Sequence, residues 1–353
     1  MNYTIKDIAA ELGVSITTVS LIINNRPCRV SEKTRKDVLD LVKKYNYTPN
    51  SSARALVTKK TETIGLIVPD ISNPFFSELA KGVERAAQKA NYSVILCNSD
   101  NKAQKDIKNT ALLISKQVDG LILAPSMGDQ DVEYIAQFNR LTQRNRLPLV
   151  LADRTVPFGS YNSVLIDNRI GAYQATCHLL ELGHRKIGCV TGPLNVDSAE
   201  KRYNGYIDAL RMNDIEVDED IICHGDYQVE SGFAAAEPLL NKGVTAIFAC
   251  NDLMALGCMR KARQMGMIPG KDISIMGFDD IPLCELLDQP LTTVRQPLYE
   301  MGKHAFQLIK DLIDKPQSRI ENIMLPPTVI VRDTTTQCKN QKPPLSTPSA
   351  ITA

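Results

Sequence analysis

The 353-residue sequence predicts an α/β protein in two parts: a small all-α helix-turn-helix head, then a two-lobed body of doubly wound parallel sheets. Three observations predict it. Residues 1–60 show helical apolar spacing and carry eleven Lys and Arg against five acids, a net +6, while the rest of the chain is net −5. From Ile64 onward, short apolar runs alternate with amphipathic helical segments. The body is also long, at about 270 residues, for one sheet, so two lobes are expected.

In the head, Ile5, Ile8, Ala9 and Leu12 fall at helical spacing behind Thr4 as cap. Ala9 is small where two helices must cross, and Gly13 permits a left-handed turn. Ser15 caps a second helix packed through Val14, Val19 and Ile23. Val38, Leu39, Val42 and Tyr45 form a third helical pattern after Ser31, which Thr48-Pro49 breaks. The head therefore spans 1–48 and a polar linker 49–60.

In the body the expected strands are 64–68, 93–97, 120–124, 148–152, 163–166, 186–190, 246–250 and 273–278. The strand at 163–166 is expected to open the second lobe, and the segment from Val294 to cross back. This puts the N-lobe at about 61–162 and 295–322 and the C-lobe at about 163–294 and 323–335. The polar, Pro-rich end (336–353) reads as a disordered tail.

Composition excludes several classes. The nine cysteines are scattered without a CxxC pair, which predicts reduced thiols and no metal site. The polar N-terminus MNYTIKDIAAELG lacks a signal-peptide pattern, and no apolar run of about 18 residues is present, so a cytoplasmic protein without membrane contact is expected. There is no GxGxxG after a strand, no P-loop, no nucleophile elbow and no HExxH. The chain is therefore expected to be no enzyme and to need no cofactor. A transport binding protein, the rival from another class, would carry a signal peptide and no basic head.

A basic helix-turn-helix points to DNA, with Ile16 and Thr17 at the start of the second helix facing a major groove; an ordinary helical hairpin is the bland alternative. TIKDIAAELGVSITTVSLIINN followed by VSEKTRKDVLDLVKKYNYTPNSSARAL resembles the head of the lactose repressor (LacI/GalR) family, and the similarity extends to about residue 335. The resemblance implies DNA contacts from Thr4, Ser15, Ile16, Thr17, Thr18, Ser20, Leu21 and Asn24. It also implies that the linker folds into a hinge helix on the operator, where Ala53, Arg54 and Leu56 meet the minor groove. Leu56 would be the wedge that unstacks a central base step. Leu21 departs from the pattern, because relatives often carry Arg or His there and leucine cannot pair with guanine.

The body resembles the periplasmic sugar-binding protein fold, in which ligands lie between lobes beyond the carboxyl ends of parallel strands. Polar and aromatic residues placed there are Asn73, Phe75, Phe76, Asp153, Arg154, Ser198, Arg202, Tyr227, Asn251, Asp279 and Gln296. A pyranose needs aromatic faces for its CH groups and planar bidentate partners for its hydroxyls, and this set supplies both. It is similar to the pocket of the periplasmic ribose-binding protein. Taken singly, Phe75 and Phe76 could be core, Asp153 and Arg154 a surface ion pair, and Asn251 a helix cap. His178 and His184 read as helix-surface residues, and Asp280 as solvated or interlobe. The expected function is a DNA-binding transcriptional regulator, acting as a homodimer on a palindromic operator. Its effector would be a monosaccharide, ribose first, with a purine or a sugar phosphate as alternatives.

Overall fold

The computed structural model describes residues 3–23, 25–47, 60–126, 132–156, 161–316 and 319–339. The chain divides into two units, 1–61 and 62–353.

The first unit holds helices α1 (Ile5–Leu12), α2 (Ile16–Ile23) and α3 (Glu32–Lys44). The Asp7 carboxylate accepts from Thr4 N at 2.8 Å and from the Thr4 hydroxyl at 2.7 Å, which fixes the start of α1. Gly13 ends that helix at φ 63, a value that costs glycine no steric penalty. Ser15 Oγ accepts from Thr18 N, and Ser31 Oγ from Thr34 N, so both serines cap as the sequence suggests. Ile8, Ala9, Val19, Ile22 and Val38 form the small core. Leu39 is a correction: it faces solvent, while Leu41 joins Val38 and Val42 against the core. The spacing 38, 41, 42 keeps one helical face, and 39 lies about 100° round from 38.

The second unit has two parallel sheets. The first runs β11 (Asn322–Leu325), β5 (Asn162–Ile166), β4 (Leu149–Ala152), β3 (Gly120–Leu123), β1 (Thr63–Val68), β2 (Ser93–Asn98). It is flanked by α4 (Pro74–Lys89), α5 (Ala103–Ser115), α6 (Val132–Arg144) and α12 (Leu298–Asp314). The second sheet runs β7 (Ile222–His224), β6 (Ile187–Thr191), β8 (Ala246–Ala249), β9 (Ser274–Met276). Around it lie α7 (Asn168–Glu181), α8 (Asp197–Met212), α9 (Val229–Asn241), α10 (Asp252–Gln264) and the single turn α11 (Leu283–Leu286). An antiparallel pair, β10 (Thr293–Arg295) and β12 (Thr328–Ile330), carries the chain between the lobes. β3, β4 and β8 are buried along their whole length, as strands covered by helices on both faces must be.

Two lobe assignments are corrected. The strand at 162–166 does not open the second lobe; β5 pairs with β4 in the first sheet, and β11 at 322–325 pairs with β5 beyond it. The first lobe therefore includes both strands, and the crossings follow Ile166, Gln296 and Leu325. Residues 333–338 are also held in place. Ile275 N donates to Thr334 O at 2.8 Å, the Thr334 hydroxyl donates to Ile275 O at 2.7 Å, and Cys338 N donates to Leu182 O at 2.8 Å. Of the segment read as a tail, 336–339 is thus packed on the second lobe, and 340–353 lies outside the described residues. The same contacts bury His184, whose ring nitrogens meet Thr245 Oγ1, Ser274 Oγ and Thr336 O at 2.9–3.0 Å. His178 reaches Thr335 Oγ1 at 3.0 Å, so neither histidine is a free surface group.

Candidate functional site

On the head, α2 begins with three exposed side chains, Ser15, Ile16 and Thr17, at a helix N-terminus whose free N–H groups suit a phosphate. Thr18, Ser20 and Leu21 are half-buried, and Thr4 is exposed at the start of α1. Asn24, Ala53, Arg54 and Leu56 lie outside the described residues.

In the body, the order of each sheet reverses direction once, between β1 and β3 and between β6 and β8. Such switch points leave a crevice at the carboxyl ends of the strands. Asn73 follows β1 and Asp153 follows β4, from the first lobe. Ser198 and Arg202 follow β6, Tyr227 follows β7, Asn251 follows β8, and Asp279 follows β9, from the second. With Phe75, Phe76 and Arg154 they line one cleft of about 260 Å³, open space at its mouth included. Ten of the eleven residues named from the sequence thus come together. Gln296 stands behind the lining, donating through Nε2 to Asp279 Oδ1 at 2.6 Å.

Asn73 and Asn251 do cap α4 and α10, accepting from Phe75 N and Met254 N, and still face the cleft. Phe75 and Phe76 meet edge to face at 4.8 Å between centroids and are both core and lining. Asp153 and Arg154 are no surface pair, being about 4% exposed with Arg154 Nε 3.4 Å from Asp153 Oδ2.

The polar groups are arranged as two buried acid–base pairs, one per lobe. Arg154 NH1 donates to Pro125 O at 3.0 Å and to Asn101 Oδ1 at 3.3 Å. Arg202 donates to Asn168 Oδ1 at 2.7 Å and Cys250 O at 2.6 Å, stands 3.2 Å from Asp279, and has its guanidinium carbon over the Phe278 ring, 3.9 Å from the centroid. Burial pushes the carboxyls of Asp153 and Asp279 up, against the pull of Arg154 and Arg202 respectively. Burial, the largest single influence, opposes the charged form of Arg202, but Asp279, Tyr227, Asp153 and Cys250 together outweigh it and hold the guanidinium more firmly protonated.

Four buried polar atoms at the site have no hydrogen-bond partner among the described residues: Asp153 Oδ1, Arg154 Nε, Tyr227 Oη and Gln296 Oε1. An unpaired buried polar atom costs roughly 1–3 kcal/mol, so such a group at one cleft marks where a polar ligand would bond.

Several features were not read from the sequence. Asp153, Tyr227 and Asp279 hold φ of 66°, 70° and 122°, which residues with a Cβ rarely adopt and which gather at functional sites. Gly192 is required by Tyr227, since a Cβ there would stand 2.4 Å from its ring. Asn168 and Phe278, which orient Arg202, had no signal beyond lying at a helix start and a strand end. Among the described residues no His, Cys, Asp and Glu group could hold a metal ion, and no helix is long and apolar enough to cross a membrane.

Comparison with known proteins agrees with this organisation. Residues 4–50 match the family of bacterial regulatory proteins, lacI family, and 176–335 match the periplasmic binding protein-like domain. The chain is 37% identical over 340 residues, 95% of its length and 98% of the relative's, to the HTH-type transcriptional regulator DegA of Bacillus subtilis (strain 168). Its fold matches the lac repressor dimer bound to operator and the anti-inducer ONPF, with TM-score 0.84 and 30% identity over 95% of this chain and 100% of the other. It also matches a LacI family regulator from Enterococcus faecium with bound ribose, with TM-score 0.72 and 34% identity over 78% and 100%. Relatives of comparable identity carry names as different as ribose operon repressor and PurR. The chain belongs to the lacI family of bacterial regulatory proteins, and it is a helix-turn-helix, DNA-binding transcriptional repressor with a periplasmic-binding-protein-like effector domain.

Proposed function

We propose that this repressor is a cytoplasmic sugar sensor whose cleft binds an unmodified aldose, D-ribose first, and that the bound sugar releases a palindromic operator. The observation that carries this reading is the pair of buried Asp–Arg couples lining one cleft with aromatic side chains, where Asp153 Oδ1 and Tyr227 Oη have no hydrogen-bond partner among the described residues. A ring hydroxyl can donate to each carboxylate and accept from each guanidinium. Phe75, Phe76 and Tyr227 supply the faces for the CH side of the ring. Asp153 and Asp279 would repel a phosphate, which disfavours a sugar phosphate. The ribose bound to the similar E. faecium regulator supports the same ligand class.

The head would read the major groove through Thr4, Ser15, Ile16, Thr17, Thr18, Ser20, Leu21 and Asn24. Ala53, Arg54 and Leu56 would form a hinge pressed into the minor groove. A C2 homodimer is proposed because a palindrome requires two-fold related heads, and the similar lac repressor binds operator as a dimer. Calorimetry of the full chain with D-ribose, D-ribose 5-phosphate, D-glucose and hypoxanthine tests the ligand class. Heat from D-ribose alone supports the reading, and heat only from the phosphate or the purine rejects it.

A further inference from the structure

Asp279 and Asp280 are consecutive and face different tasks. Asp279 looks into the cleft toward Arg202. Asp280, with a side chain only 5% exposed, turns instead to Arg295 Nε at 2.6 Å and to Arg332 NH2 at 2.7 Å. Arg295 ends β10 and Arg332 follows β12, the two strands by which the chain passes between lobes. One carboxylate thus joins both crossing strands.

The backbone continues the connection. Asp279 N donates to Val294 O at 2.8 Å, and Gln296 N donates to Asp279 O at 3.2 Å. Gln296 Nε2 also holds the Asp279 carboxylate. On the other strand, Arg332 N donates to Thr292 Oγ1 at 2.9 Å and its NH1 to Leu291 O at 2.8 Å. Both aspartates hold left-handed φ, 122° and 59°, which persists only where the surroundings over-determine it. An exposed ion pair could not do this, since solvent screens it. The pair from Asp280 to Arg332 is shielded, at 5% and 12% exposure.

We propose that Asp280 is a positioning residue of the effector site: clamped between Arg295 and Arg332, it locks the strained turn that presents Asp279 and ties that turn to both interlobe strands. The inference rests on the effector reading of the cleft. Its consequence is that a ligand drawing on Asp279 cannot leave β10 and β12 unaffected, so binding and lobe setting share one element.

Hydrogen–deuterium exchange of the full chain, without sugar, tests the clamp. Asp280→Asn removes the charge, and Arg295→Gln removes one arm at a side chain that is half exposed and little risk to folding. Exchange in 277–281 and 292–296 is expected to rise about tenfold in Asp280→Asn and less in Arg295→Gln, with β6 and β8 unchanged. Asp280→Asn is further expected to weaken D-ribose binding about tenfold in calorimetry, and Asp280→Glu to restore part of it. Unchanged exchange in those segments in folded variants overturns the proposal. So does a uniform rise that includes β6 and β8, which would make Asp280 a general stabiliser. If Asp280→Asn does not fold, Arg295→Gln decides. No heat from D-ribose with the unaltered chain would reject the sugar reading instead, and the exchange result would still decide the clamp.

Discussion

Arg202 and Asp279 stand 3.2 Å apart in the interlobe cleft, each side chain about 95% buried, and the guanidinium is braced on its other sides by Asn168, the Cys250 carbonyl and the Phe278 ring. Removing one member of such a pair strands the other in low dielectric, at about 3–5 kcal/mol. Arg202→Ala should therefore lower the melting temperature of the protein as well as its sugar affinity. Asp279→Asn keeps the shape and should weaken D-ribose binding by about tenfold to a hundredfold, the cost of one or two charged hydrogen bonds. Paired calorimetry and thermal melts check both; unchanged affinity in Asp279→Asn would remove that residue from the site.

Asp252 gives a pH prediction. It is wholly buried, accepts from the Thr293 hydroxyl at 2.5 Å and from Ile281 N at 2.8 Å, and burial pushes its carboxyl up to about 6 in spite of those bonds. A carboxyl raised in the folded state binds more protons there than in the unfolded chain. Its contribution to stability is therefore full below the unfolded value, near 4, and is lost as pH rises to about 6. Asp153 and Asp279 are raised as well and act with the same sign. The difference in melting temperature between the unaltered chain and Asp252→Asn should shrink from pH 4 to 6 and then level. A difference that grows over this window would contradict it.

The hinge proposal turns on Leu56. Leu56→Ala should weaken operator binding at least tenfold while leaving binding to random DNA nearly intact, because a wedge acts only on a kinked site. Equal operator affinity in an electrophoretic assay would exclude the wedge.

The net +6 of residues 1–60 predicts a steep loss of DNA affinity with salt, since each neutralised phosphate releases a counterion. Filter binding between about 50 and 200 mM salt should show a fall of several hundredfold or more. A flat profile would mean that the basic head does not meet the backbone.

How far the sequence reached is clearest residue by residue. β1, β3, β4, β6 and β8 were legible because strands buried on both faces read as unbroken apolar runs. β7, β10, β11 and β12 are short as well but are not covered along their whole length, so no unbroken apolar run marks them. The lobe boundary failed at 162–166 for a different reason. Alternating strands and helices do not say which sheet a strand joins, and β5 is claimed for the first sheet by β11, whose Asn322 lies 159 residues away. The cleft was legible because strand ends in such folds converge, so polar residues there could be gathered before their contacts were known. Their left-handed backbones and the clamp behind Asp279 were not, since φ and long-range ion pairs leave no local pattern. His184 was misplaced likewise, its partners Thr245, Ser274 and Thr336 lying far along the chain.

The most direct test of the central claim, a DNA-binding repressor governed by a sugar in the cleft, is fluorescence anisotropy of the full chain on a labelled palindrome selected by the protein from a random library. The titration is run with and without saturating D-ribose. A ligand that favours one of two states must shift the other equilibrium by its differential affinity, typically 5–150-fold. The account predicts nanomolar-range binding to the palindrome, weakened at least about tenfold by D-ribose and by far less in Asp279→Asn. Operator binding that D-ribose leaves untouched, in a chain that gives no heat with the sugar, would contradict it.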